Sequence, residues 1–239
     1  MKKYSIVIFD LDDTLSNERK NIMYAFECMK KYRNESFSEE EFLKFNKIDK
    51  KFWKDRSEGK IYEPDNFGSL EEKILWIRAQ RFLIYYDNKI SLEEAKKLNN
   101  IYLEGLKEVV EGMEGAKEVV EYLYNKNYKL VVATNGPLLA VKSKLNKIGI
   151  DEYISTIFSS EECGSMKPRK EFFDNLLVKI GSNKKDEMII IGDELLKDVK
   201  GGIINNIDTC WFNFREEENL EEYIPTYEIK KLIEIKNIL

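Results

Sequence analysis

Two hydrophobic textures alternate along the chain. The first, found near the N-terminus and again after Gly112, consists of short continuous apolar runs separated by amphipathic stretches. The runs are residues 4 to 9, "KLVVATN" (129 to 135), "STIFSS" (155 to 160), "EMIIIGD" (187 to 193) and "DTCWFN" (208 to 213). Helical periodicity occupies roughly 115–125, 137–147, 170–181 and 196–205 between them. Strands that are apolar throughout, rather than alternating, are buried on both faces. With helices between them they predict a parallel sheet covered on each side.

The second texture fills the segment from about Ser16 to Val110 and is helical throughout. Ser38 with Glu41, Ser69 with Glu72 and Ser91 with Glu94 have the spacing of capping boxes and mark three helix starts. Ile22, Phe26, Met29 and Tyr32 recur at helical spacing in the first segment, and Phe42, Phe45 and Phe52 in the second. "ILWIRAQRFLIYY" is apolar enough to be the central helix of a bundle. Four helices without an intervening strand read as one unit. The predicted organisation is therefore an α/β core of residues 1–16 and 111–239, interrupted by a four-helix insert, 17–110.

Composition narrows the chemistry. With 239 residues and 43% apolar content, the chain can support one good core and a second, smaller unit. Its net charge of −5 argues against a nucleic acid polymer as partner. The only apolar run in the first twenty residues is broken by Asp10, which is too short for a membrane span and lacks a signal-peptide pattern. Cys28, Cys163 and Cys210 are scattered and odd in number, so reduced thiols and a cytoplasmic setting are expected. The chain contains no histidine, which excludes Ser-His-Asp and Cys-His catalysis and histidine-held metals. Carboxylates, lysines, hydroxyls and a hard, oxygen-preferring cation remain.

In open parallel sheets, ligands bind beyond the carboxyl ends of the strands, and unusual polar residues gather there in this sequence. The first strand runs into Asp10, Asp12 and Asp13, three carboxylates that repel one another if unpaired. The "VVAT" strand ends in Thr134, Asn135 and Gly136; the "MIIIG" strand ends in Asp193, with Asp198 five residues on; the loop after "STIFSS" carries Lys167. Each piece alone reads at least as well as a turn or a helix cap, and the pieces at Thr134 and Asp193 read better so. Together, on adjacent strands, they predict one site that holds Mg²⁺ through carboxylates and takes a dianionic phosphate. Thr134 and the amides around Asn135 and Gly136 would serve as donors.

"DLDDT", "TNG", "KP" and "GDELLKD" resemble, in order, the four motifs of the haloacid dehalogenase superfamily of phosphohydrolases, and the helical insert resembles the cap of its first subclass. "KFWKDRSEGKI" and "DVKGGIINNIDTCWFN" are similar to nucleotidases acting on pyrimidine nucleoside monophosphates. The resemblance implies a Rossmann-like core and an aspartyl phosphate mechanism. Asp10 would be the nucleophile, Asp12 the acid and base, and Thr134 the phosphate anchor, with Lys167 neutralising charge. Mg²⁺ would be held by Asp10, the Asp12 carbonyl and Asp193, with Asp198 close by. Glu194 departs from the small hydroxyl residue frequent at its position, which leaves open which of Asp193, Glu194 and Asp198 touches metal.

In the cap, Asn46, Trp53 and Arg56 are candidates for facing the substrate, Trp53 by stacking on a base; the alternative is that Trp53 belongs to the bundle core and Arg56 is a solvated surface residue. The implied function is a Mg²⁺-dependent 5'-nucleotidase, a monomer or homodimer whose partner is a small phosphomonoester rather than a membrane. A sugar phosphatase or phosphomutase of the same superfamily is the alternative, and a non-enzymatic phosphoacceptor domain is the rival from another class.

Overall fold

The computed structural model describes residues 3–219 and 223–239. Its strands are β1 (Ile6–Phe9), β2 (Ser16–Asn17), β3 (Glu111–Gly112), β4 (Lys129–Thr134), β5 (Thr156–Ser159), β6 (Met188–Gly192), β7 (Asp208–Phe212) and β8 (Tyr227–Ile229). Its α-helices are α1 (Glu18–Tyr32), α2 (Glu39–Ser57), α3 (Leu70–Tyr85), α4 (Leu92–Gly105), α5 (Ala116–Asn125), α6 (Leu138–Ile148), α7 (Lys170–Ile180) and α8 (Lys200–Ile204). By compactness the chain divides into Met1–Glu18 with Val110–Leu239, and Arg19–Val109.

In the first unit the main sheet of the described residues has the order β5-β4-β1-β6-β7-β8, and every pairing in it is parallel. β1 lies between β4 and β6, with Ile6 opposite both Lys129 and Met188. The chain adds strands on one side of β1 and then returns to build the other. The carboxyl end of β1 is thus the topological switch point, where such sheets leave a crevice. Alternation sorts the buried side chains by face. Val7, Phe9, Leu130, Val132, Ile189 and Ile191 pack beneath α5, α6 and the C-terminal 3-10 segment Leu232–Asn237. Ile6, Ile8, Val131, Ala133, Met188 and Ile190 pack against α7. α5 meets its face through Ala116, Val119, Val120 and Leu123, a one-stripe helical pattern.

Several elements depart from the sequence reading, the short strands β2 and β3 among them. The helix expected at 196–205 begins as a five-residue π-helical turn, Leu195–Val199, before α8. β8 was not foreseen, because "YEI" is too short and too polar to stand out from a loop. β2 and β3, an antiparallel pair with Ser16 opposite Gly112, join the points where the chain leaves and re-enters this unit.

The second unit contains the helices α1 to α4, with Phe26, Phe42, Phe45 and Phe82 fully buried at its centre. Phe45 stacks on Phe26 at 5.1 Å and on Phe82 at 5.5 Å between centroids, with Tyr85 and Tyr102 closing the cluster. The three serine caps form as predicted, accepting from the N–H groups of Glu41, Glu72 and Glu94 at 3.2, 3.1 and 3.1 Å. The glutamates bind elsewhere: Glu41 with Lys30, Glu72 with the Gly68 N–H, and Glu94 with Arg33.

On α1 the buried residues are Asn21, Ala25, Phe26, Met29 and Lys30, while Tyr32 is half exposed. The stripe is rotated from the expected one because Gly105 of α4 seats on Ala25: a Cβ at Gly105 would lie 2.6 Å from the Ala25 Cα. Small residues at this crossing let the two helix backbones approach.

Candidate active site

The switch point gathers the polar residues. The Asp10 N–H donates to the Ile191 carbonyl at 2.9 Å, continuing the β1–β6 ladder one residue beyond the strand. Asp10 is therefore fixed beside Asp193, the residue that follows β6. Ligand oxygens of Asp10, Asp193 and Asp198 lie within 4.8 Å of one another, and all three residues are buried.

Gly192 permits this convergence. A Cβ there would fall 2.3 Å from the Asp198 carboxyl carbon. Gly192→Ala is expected to displace Asp198, to lower stability by about 1–3 kcal/mol through overpacking and to reduce turnover more than tenfold. Thermal melts and initial rates check this; a variant with wild-type rates would exclude a role for the Asp198 position.

Lys167 enters from the loop after β5. Its ammonium donates to Asp10 Oδ1 at 2.6 Å, Asp198 Oδ1 at 2.6 Å and the Ala133 carbonyl at 2.9 Å, which matches the three N–H donors of a lysine. Burial disfavours the charged ammonium, but attraction to Asp10 and Asp198 outweighs it and raises the Lys167 pKa. The loop is held by Asn135, whose side-chain oxygen accepts from the Lys167 N–H at 2.8 Å and whose amide nitrogen donates to the Lys167 carbonyl at 3.2 Å. The Asn135 side chain, grouped with the substrate contacts in the sequence, is thus engaged in positioning Lys167. Thr134 is buried, and its hydroxyl oxygen accepts from the Gly136 N–H at 2.8 Å, shaping the turn at the end of β4.

The three carboxylates that follow β1 each have a protein cation of their own. Asp10 pairs with Lys167, Asp12 with Lys144 of α6, and Asp13 with Arg215 from the loop after β7. Arg215 also binds Asp193 Oδ2 at 2.8 Å. Lys167 was expected from the sequence to act beside a metal; Lys144 and Arg215 add two further cations to the loop after β1.

Five aspartates, residues 10, 12, 13, 193 and 198, face three cations, Lys144, Lys167 and Arg215. With every carboxylate ionised two negative charges would remain, while Glu194 and Lys197, paired at 3.0 Å alongside, balance each other. Burial pushes the Asp10 carboxyl up to about 7, with Lys167 opposing and Asp198 and Asp12 reinforcing the shift. Burial, then Asp10, Asp198 and Glu194, raise Asp193 well above the carboxylate range against the pull of Arg215. A buried all-oxygen donor set with two charges in excess fits a hard divalent cation.

Lys144, Arg215 and Trp211 were missed in the sequence. Trp211 donates its indole N–H to the Asp193 carbonyl at 2.9 Å and so fixes the end of β6. The signal for Lys144 was present: with Ala140, Val141 and Leu145 it forms the buried stripe of α6, where a lysine demands a partner. Arg215 lies just beyond the carboxyl end of β7, where the rule that located the other residues applies equally.

Trp53 and Arg56 lie on α2 in the helical unit. The half-buried Trp53 ring has the Arg81 and Arg56 guanidiniums 5.5 and 5.9 Å from its centroid, and Arg56 is ion-paired with Glu63 at 2.8 Å. The same unit has a cavity of about 260 Å³. Its charged residues bind one another, Lys30 to Glu35 and Glu41, and Arg33 to Glu35. Cys163 is partly buried, and burial raises its thiol pKa, the opposite of an activated cysteine.

This arrangement of strand ends is that of a known hydrolase fold. The family model for haloacid dehalogenase-like hydrolases matches residues 7–212, and the chain belongs to that family. It is 29% identical to the HAD-hydrolase YfnB of Bacillus subtilis, over 100% of this chain and 97% of that protein. It is 26% identical to the pyrimidine 5'-nucleotidase YjjG of Escherichia coli, over 99% and 98% of the two chains. A crystal structure of YfnB bound to magnesium superposes with a TM-score of 0.85 at 28% identity, covering 100% of this chain and 99% of that one. Among the described residues no helix is long and apolar enough to cross a membrane.

Proposed function

We propose that this hydrolase is a Mg²⁺-dependent phosphomonoesterase that works through an aspartyl phosphate, and that its substrates are pyrimidine nucleoside 5'-monophosphates. The observation that carries the phosphatase reading is Asp10, held at the switch point by Lys167 with Thr134 at the end of the neighbouring strand. Asp12 beside it supplies a second carboxylate for proton transfer. Pyrimidine nucleotides as substrates rest on similarity to YjjG and to the pyrimidine 5'-nucleotidase PynA of Streptococcus pneumoniae, 26% identical over 95% of this chain.

Asp10 attacks phosphorus, forming a bond from its carboxylate oxygen as the ester P–O bond breaks, and Asp12 gives its proton to the departing oxygen. Asp12 then takes a proton from water as the water attacks phosphorus. The bond to Asp10 breaks, inorganic phosphate leaves, and Asp12 is protonated again. Thr134 and the backbone around Gly136 anchor the phosphoryl oxygens. Lys167 holds the attacking carboxylate and opposes the charge that spreads over those oxygens.

Asp10, the Asp12 carbonyl and Asp193 would hold Mg²⁺, which supplies the two positive charges the carboxylates lack. Asp198 has Oδ1 on Lys167 and Oδ2 on the Glu194 N–H at 3.2 Å, so it acts from behind the first ligands. Glu194 is exposed, and its side chain is ion-paired with Lys197. Trp53 is proposed to contact the base and Arg56 to steady Trp53.

Phosphate release from pyrimidine and purine monophosphates, sugar phosphates and an aryl phosphate tests the reading, with Mg²⁺ and with a chelator. Pyrimidine monophosphates should lead, and the chelator should abolish turnover. Preference for sugar phosphates would overturn the substrate and keep the chemistry; a labelled protein that never releases phosphate would identify a phosphoacceptor domain.

A further inference from the structure

Lys144 is a charged residue buried to the extent of the core around it, and its partner is the carboxylate beside the nucleophile. On α6 it occupies the inward stripe between Val141 and Leu145, and its side chain is 2% exposed. Burial disfavours the ammonium; Asp12 first, then Glu18 and Asp10, outweigh that penalty, and the pKa is raised. A buried ion pair of this kind adds little to stability compared with an apolar residue of similar size.

The contact is asymmetric. Lys144 Nζ binds Asp12 Oδ1, while Asp12 Oδ2 lies against the turn that follows β4. A Cβ built at Gly136 would meet Asp12 Oδ2 at 3.0 Å and Thr134 Oγ1 at 3.1 Å. One carboxylate oxygen is tied down, and the other shares the neighbourhood of the phosphate turn with the threonine hydroxyl. The Asp12 side chain is 21% exposed, so without Lys144 the carboxylate has room to rotate away. Glu18, the other carboxylate near Lys144, lies at the start of α1 with its N–H on Asp13 Oδ1 at 2.9 Å. Lys144 therefore ties α6 to the loop that carries Asp12.

We propose that Lys144 is a positioning residue for proton transfer. It pins Asp12 by Oδ1 so that Oδ2 is presented to the departing ester oxygen in the first half-reaction and to the attacking water in the second. The inference rests on the phosphatase reading given above. It predicts a loss that depends on how much the leaving group needs a proton, which a purely structural role does not.

The experiment compares wild type, Lys144→Met, Lys144→Gln and Lys144→Arg on a nucleoside 5'-monophosphate, 4-nitrophenyl phosphate and 2,4-dinitrophenyl phosphate. The kcat/KM values report the transfer to Asp10. For Lys144→Met, kcat/KM should fall roughly 100-fold or more with the alkyl ester, the low end of what general acid catalysis contributes. It should fall less than about tenfold with the dinitrophenyl ester, whose leaving group departs unprotonated. With the dinitrophenyl ester the aspartyl phosphate should accumulate in acid-quenched samples, because its formation stays fast while water activation is slowed. Lys144→Arg should recover most of the alkyl-ester rate.

Lys144→Gln, which keeps a donor on a shorter side chain, should show the same ester-dependent pattern with a smaller loss, and it carries the comparison should Lys144→Met not fold. Equal losses on all three esters, or none, would overturn the assignment while leaving the phosphatase reading intact. Failure of wild type to hydrolyse any ester would overturn both.

Discussion

Asp10→Asn should abolish phosphate release while leaving the protein folded. Asparagine keeps the shape of the side chain but cannot bond to phosphorus as a carboxylate does, and the two carboxylates that follow, Asp12 and Asp13, are engaged by Lys144 and Arg215. The loss should be about 10⁴-fold or greater, the scale on which removing a covalent nucleophile acts.

Stability should move the other way. Burial raises the Asp10 carboxyl to about 7, so ionising it costs the folded state increasingly as pH rises from the ordinary carboxylate range through neutrality. Asparagine removes that cost, and Lys167 keeps Asp198 as a partner. With a chelator at pH 7 to 8 the variant should melt at or above the wild-type temperature. Phosphate release, phosphoprotein trapping and thermal melts check the three statements. Residual turnover above about 1% of wild type would mean that Asp10 is not the nucleophile.

Lys167→Met should have the largest effect on stability and also eliminate activity. It leaves Asp10 and Asp198 buried without their shared cation, and breaking a buried pair from one side costs about 3–5 kcal/mol. For a chain of this size that corresponds to a drop of roughly 6–20 °C in melting temperature. Adding Asp198→Asn should recover much of the stability, because it removes one of the orphaned charges, yet recover none of the turnover. Mg²⁺ should stabilise the single variant more than wild type, since the excess negative charge is larger by one. If Lys167→Met melts with wild type, the ammonium is not the counter-charge described here.

The sequence alone determined the alternation of strands and helices in the core, the helical insert and the placement of Asp10, Thr134 and Asp193 at strand ends with Lys167 in the loop after β5. It could do so because continuous apolar runs, capping serines and strand-terminal polar residues are local signals. What only the tertiary structure decided is how the charges are paired. Lys144, distant in sequence from Asp12, and Arg215, far along the chain from Asp13, are brought to those carboxylates by the packing of α6 and by the loop after β7. It also decided that the Asn135 side chain holds the lysine loop and that Glu194 belongs to Lys197. An ion pair between residues on different elements leaves no periodicity behind, because Coulomb attraction depends on where the fold brings two side chains, not on their separation along the chain.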